Sequence, residues 1–355
     1  MGKNNLTSSE RMKALVFKQD LDRVPVNPGV SLHAAAISNL SAREFYLEPE
    51  KAMQAQIWAQ ELYQYDSAPS YGIPDWSGWD FGGDLQFPTS PRISLPILSK
   101  HAVEKPLDVE TLQVPNLETA PAFSRMHQFA RLARAKGYAV TIPGGSPMGI
   151  AGTIVGIELL LRWLYKEPEL VHRILRLATD YLLQIADQYI AEFGAENCSV
   201  FSTYPLECQA LVSPKVFEKF SLPYVKEICV KLRAKGIKKW VFHLCGDHTR
   251  NLHLWTEEIS PDPRSVITIG HEMDIQQVAR AFGEDIIIGG NIPTELLQMG
   301  TPEEVLGASR GIIEKMKNHP GGFILMPACA LPPLTPPVNV FAMVKAVTLY
   351  GQYHN

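Results

Sequence analysis

Short apolar runs recur along the chain and alternate with longer stretches whose apolar residues return at helical spacing. The runs are Asp22–Gly29, Tyr65–Pro69, Tyr138–Gly145, Cys198–Thr203, Lys239–Gly246, Ser265–Gly270, Asp285–Asn291 and Gly322–Cys329. Each is bounded by Gly, Pro or polar residues and is enriched in β-branched or aromatic side chains, which is how a buried strand reads. Helical spacing covers residues 8–18, 50–64, 122–136, 147–193, 213–235, 274–282, 302–318 and 337–350. Ser213-Pro214 has the residue types of a helix N-cap followed by its first turn. Strands alternating with helices imply a parallel sheet, and eight of them predict an α/β fold of the (β/α)8 TIM type. The expected organisation is a single domain over residues 1–355, with an N-terminal helical extension before the first strand.

In such barrels chemistry gathers at the C-terminal ends of the strands. The run Lys239-Trp240-Val241-Phe242-His243-Leu244-Cys245-Gly246 puts an imidazole and a thiol two residues apart there, so both point to one face. The last run ends in Cys329, which joins them if the two strand ends meet. Three N/S ligands with a fourth position open make a catalytic zinc pattern, whereas structural zinc is usually closed by four protein ligands. Each residue also has a plainer reading, since free Cys is commonly buried and a strand-end His is often a hydrogen-bonded core residue. Asn291 and Asp66, at the ends of the seventh and second runs, are expected at the same mouth, hydrogen-bonding substrate or metal ligands. Tyr204 and Glu207 lie just past the fourth run, Cys208 is an alternative ligand, and His248 and His253 are expected at the surface. Residues 71–87, rich in Gly and aromatics including Trp76 and Trp79, read as a long loop, either a substrate wall or lid or a packed excursion. Residues 92–120 read as an irregular connection.

Composition narrows the partners. The formal net charge is −4 over 355 residues without a basic run, which argues against a nucleic-acid footprint. No secretory leader or long apolar span is evident, so a cytoplasmic protein with no membrane partner is expected. Five cysteines (Cys198, Cys208, Cys229, Cys245, Cys329) are odd in number and scattered, so reduced thiols are expected.

The segments together resemble the uroporphyrinogen decarboxylase superfamily over nearly the whole chain. The resemblance rests on Arg23-Val24-Pro25-Val26, Gly144-Gly145-Ser146-Pro147, Leu211-Val212-Ser213-Pro214 with Pro223-Tyr224, and His243-Leu244-Cys245-Gly246. It continues through Gly290-Asn291-Ile292-Pro293, Gly300-Thr301-Pro302-Glu303-Glu304-Val305, Gly321-Gly322-Phe323-Ile324 to Cys329, Pro336, Asn339 and Ala342-Met343. Decarboxylases of the superfamily carry an arginine-bearing loop after the first strand, which suits a polycarboxylate substrate. This chain has Asn27-Pro28-Gly29-Val30-Ser31-Leu32-His33 there, and no arginine until Arg43. The zinc-dependent corrinoid methyltransferase branch, methylcobamide:coenzyme M methyltransferase-like, carries His-x-Cys and a distant Cys as zinc ligands, a pattern matched by His243, Cys245 and Cys329. That branch implies methyl transfer between a corrinoid on a partner protein and a small thiol or O-methyl substrate, with zinc as the resident metal. Some of its members have an acidic residue after the sixth strand at the fourth zinc position; Glu272 or His271 corresponds to it here, with Glu272 preferred. The alternatives are a uroporphyrinogen decarboxylase-like lyase acting on a tetrapyrrole, and a non-catalytic protein whose zinc is closed by a fourth protein ligand.

Overall fold

The computed structural model describes residues 6–88 and 95–353. An antiparallel hairpin of β1 (Asp84–Gln86) and β2 (Ile97–Lys100) precedes a six-stranded parallel sheet. The sheet runs in chain order through β3 (Val140–Pro143), β4 (Cys198–Thr203), β5 (Trp240–Leu244), β6 (Val266–Ile269), β7 (Ile287–Ile292) and β8 (Phe323–Pro327). Helices separate these strands, and the arrangement is consistent with a TIM-type barrel.

Six of the eight expected strands therefore form ladders. The first expected run still lies along β8: Asn27 N donates to Leu325 O at 2.9 Å and Leu325 N to Pro25 O at 2.9 Å. The second adds one bond, from Asp66 N to Val26 O at 2.9 Å. Pro25, Pro28 and Pro69 lack the N–H that a longer ladder needs, which keeps both contacts short.

Helix starts follow local chemistry. Ser213 caps the helical turn at Pro214, accepting from Val216 N, and Asp274 caps Ile275–Phe282, accepting from Gln277 N. Thr301 and Glu304 form a reciprocal capping box on Pro302–Met316. Among the described residues no single helix is long and apolar enough to cross a membrane.

The N-terminal helix Ser8–Val16 is more than an extension. Its Leu15 packs with Ile287 and Ile324, flanked by Met12, Val16, Val266 and Met326, and so covers the N-terminal part of β6–β8. Arg11 anchors that helix: Nε donates to Asp22 at 2.8 Å and Nη1 to Asp66 at 2.6 Å. Asp66 also accepts from Arg23 Nη1 at 2.7 Å and from Val26 N at 2.8 Å, and its side chain is 0% exposed. The expectation of Asp66 at the mouth is thereby corrected. A buried carboxylate held by two guanidinium groups and a backbone N–H has no free oxygen to offer a substrate.

Residues 71–87 are a packed excursion. They contain a short helix, Trp76–Asp80, and lead into the hairpin. The Trp76 ring lies 5.9 Å from that of Tyr181, and Trp79 packs between Phe87 and Arg125. Asp80 accepts from Ala122 N at 2.7 Å, Phe123 N at 3.1 Å and Tyr181 OH at 2.8 Å, which caps helix Pro121–Ala135. Burial pushes the Asp80 carboxyl up to about 6 despite these donors. Of the irregular connection expected at 92–120, residues 92–94 lie outside the described residues, and the remainder includes β2 and helix Pro106–Thr111.

Candidate metal centre

His243 is the penultimate residue of β5, Cys245 follows the strand, and Cys329 lies two positions beyond β8. One ligand atom from each comes within 4.8 Å of the others, so a single ion can be shared among them. His243 is buried, Cys245 half-buried and Cys329 exposed, which makes the cluster a floor reached from solvent on one side.

The histidine is oriented by a neighbour. Parallel pairing sets Thr268 of β6 against His243, and His243 Nδ1 lies 2.9 Å from Thr268 Oγ1. With Nδ1–H donating to that hydroxyl, Nε2 carries the lone pair. This Nε2 is buried and has no hydrogen-bond partner. An orphaned buried acceptor beside two sulfurs is what a metal ligand looks like before the ion is counted. The two sulfurs titrate together: each other's proximity lowers the Cys329 pKa and, together with burial, raises that of Cys245. Thr268 was missed from the sequence because only strand register brings it to His243. Thr268→Val is expected to weaken metal binding by about 10–100-fold with the fold intact, read by competition against a chromophoric chelator.

Glu272 lies at the rim. Its carboxylate folds into the space that a side chain on Gly270 would fill, next to the Gly246 backbone, and its charge acts on Cys245. It does not belong to the three-residue cluster, and its side chain is 44% exposed with His271 Nδ1 3.9 Å away. Asn291 holds this loop, its Nδ2 donating to Gly270 O at 3.0 Å and Met273 O at 3.1 Å. The next helix is capped by Asp274, leaving His271 and Glu272 free of that task.

His248 is fully buried, contrary to the surface expectation, whereas His253 is exposed. Its Nε2 lies 3.0 Å from Tyr204 O and 3.2 Å from Cys245 O, and burial drives its pKa down to about 4. A neutral imidazole thus donates to the backbone that carries a cluster sulfur. Tyr204 is buried as well, and Cys208 packs against Gly246 without entering the cluster.

Glu207 is completely buried, accepts from Ser221 Oγ at 2.8 Å, and is pushed up to about 7 by desolvation. A carboxyl whose folded pKa exceeds its ordinary value of 4.5 holds its proton more tightly when folded. Stability is then full below 4.5 and falls as pH rises toward about 7. Glu207→Gln is therefore expected to stabilise the protein at pH 8 and to change little at pH 4.5, measured by denaturant melts at both.

Convergent polar side chains at the C-terminal ends of parallel strands are placed as in an α/β fold consistent with the TIM type. The chain belongs to the uroporphyrinogen decarboxylase (URO-D) family, whose model matches residues 7–350. It is 26% identical over 259 residues to the methylcobamide:CoM methyltransferase MtbA of Methanosarcina acetivorans, covering 72% of each chain. It is also 26% identical over 364 aligned residues to a uroporphyrinogen decarboxylase of Coxiella burnetii, covering 96% of this chain and 94% of that one. A solved methyltransferase from Methanosarcina mazei shares the fold, with TM-score 0.79, 19% identity, and coverage of 97% of this chain and 99% of that one.

Proposed function

We propose that this chain is a zinc-dependent methyltransferase, moving a methyl group between a corrinoid carried by a partner protein and a small thiol or O-methyl substrate. The observation that carries the proposal is the convergence of His243 Nε2, buried and unpartnered, with the sulfurs of Cys245 and Cys329. The methyltransferase relatives support it. In this reading the whole chain is one (β/α)8 barrel domain, with the segments at 24–27 and 65–69 completing the set of staves.

Zinc bound there supplies a Lewis acid for a coordinated thiol or methyl-ether oxygen, and the partner's corrinoid supplies or accepts the methyl group. The chain's own residues set the conditions. Cys245 and Cys329 as thiolates, with His243 as a neutral imidazole, would hold the ion and balance its divalent charge. Thr268 fixes the His243 ring, and His248 fixes the Cys245 backbone. Asn291 holds the loop that carries Glu272, the carboxylate that would serve as a fourth ligand to the ion. Against a decarboxylase acting on a polycarboxylate tetrapyrrole stands the loop Asn27–His33, which brings no arginine.

The test is the visible spectrum of methylcobalamin incubated with the purified protein, with and without thiol acceptors. Acceptor-dependent demethylation, lost on chelation and regained with zinc, is the expected result. Unchanged spectra alongside turnover of a uroporphyrinogen would overturn it in favour of the lyase.

A further inference from the structure

The sheet face that carries His243 is filled on one side and open on the other. Parallel pairing sets Thr203 against His243 and Phe201 against Val241, so these β4 side chains share that face. The opposite face is packed, with Val200 and Phe242 fully buried. Toward β6–β8 the His243 face is sealed by Leu15 against Ile287 and Ile324. Toward β3–β5 it is not: Phe201 is 41% exposed, Thr141 is exposed, and Thr203 and Val241 are half-buried. Phe201 is flanked by ladders on both sides, from β3 and from β5, so its exposed ring stands in mid-sheet on the unfilled part of the His243 face, a hollow in that face rather than a free edge. That hollow begins one register step from His243, about 7 Å along the strand.

Charge is the second observation. The six parallel strands contain no lysine or arginine. Eight segments lie at the C-terminal ends of these strands and of the two shorter runs, at 27–33, 67–75, 144–147, 204–213, 246–251, 270–274, 291–294 and 328–336. They contain one, the exposed Arg250. His33 is committed elsewhere, to Tyr63 OH at 2.9 Å and Pro333 O at 3.0 Å. The charged side chain that acts on the cluster at Cys245 is a carboxylate, Glu272. Among these described strands and segments, an anionic group brought to the hollow finds no lysine or arginine besides the exposed Arg250 to offset its desolvation.

We propose that this hollow is the substrate pocket, that it takes a neutral methylated compound or thiol with a small apolar or aromatic body, and that Phe201 is its specificity-determining wall. The inference rests on the metal-site reading and adds the substrate class to it.

Thiols probe it without turnover. The cobalt(II)-loaded protein is titrated with benzyl mercaptan, 2-mercaptoethanol and 2-mercaptoethanesulfonate, reading the thiolate-to-cobalt absorption band and correcting for each thiol's ionisation. Both neutral thiols are expected to bind at least about tenfold more tightly than the sulfonate. Phe201→Ala is expected to weaken benzyl mercaptan about tenfold and 2-mercaptoethanol less than about twofold, with Phe201→Leu recovering most of the loss. Cobalt uptake with equal or tighter sulfonate binding overturns the substrate class alone. Phe201→Ala with no loss, or with equal loss for both neutral thiols, overturns the role of Phe201. Failure to take up cobalt overturns the metal-site reading, and this inference with it.

Discussion

Cys329→Ser is expected to strip the protein of zinc: close to about one ion per chain in the parent, and an affinity lowered by more than about a hundredfold in the variant. A serine hydroxyl is a hard, neutral donor at neutral pH, and it replaces one of the two soft sulfurs of the cluster. Cys329 sits exposed beyond the end of β8, so the fold should survive and circular dichroism should not change. Cys229→Ser is the control, since Cys229 is buried in the core away from the cluster and its loss should leave zinc content intact. Elemental analysis of the three proteins decides the matter. Equal zinc in parent and Cys329→Ser would remove the metal centre and the methyl-transfer reading with it.

Asp66→Ala should produce the largest loss of stability among single polar substitutions. Removing the carboxylate leaves Arg11 and Arg23 without their shared partner at a site where the Arg11 and Asp66 side chains are 5% and 0% exposed. Breaking a buried pair by removing one member destabilises by about 3–5 kcal/mol. The network also ties helix Ser8–Val16, whose Leu15 covers Ile287 and Ile324, to the chain beside β8. Melting followed at 222 nm should therefore shift well below the parent, while the folded fraction keeps its metal. A protein of unchanged stability that had lost substrate binding would instead return Asp66 to the mouth.

The fate of individual polar residues separates what was legible from what was not. His248 lies in a polar stretch and reads as surface, yet its ring is used to hold the backbone at Cys245, because the loops following β4 and β5 pack together over it. Trp76 and Trp79 read equally well as a pocket wall or as packing, and they pack, since Tyr181 and Arg125 come from helices far along the chain. Asp66 carries no local sign that Arg11 will reach it.

Local chemistry alone determined most of the elements: β-branched runs, capping residues at Ser213, Asp274 and Thr301, and the period-two spacing that turns His243 and Cys245 to one side. Only the tertiary structure decided that Cys329 meets them, that Thr268 orients the ring, and that the hollow beside Phe201 stays open. Strand periodicity is a property of neighbours in the chain. Which strand ends share an ion, and which face is left unfilled, depends on sheet order, on register and on the docking of a helix from the other end of the molecule.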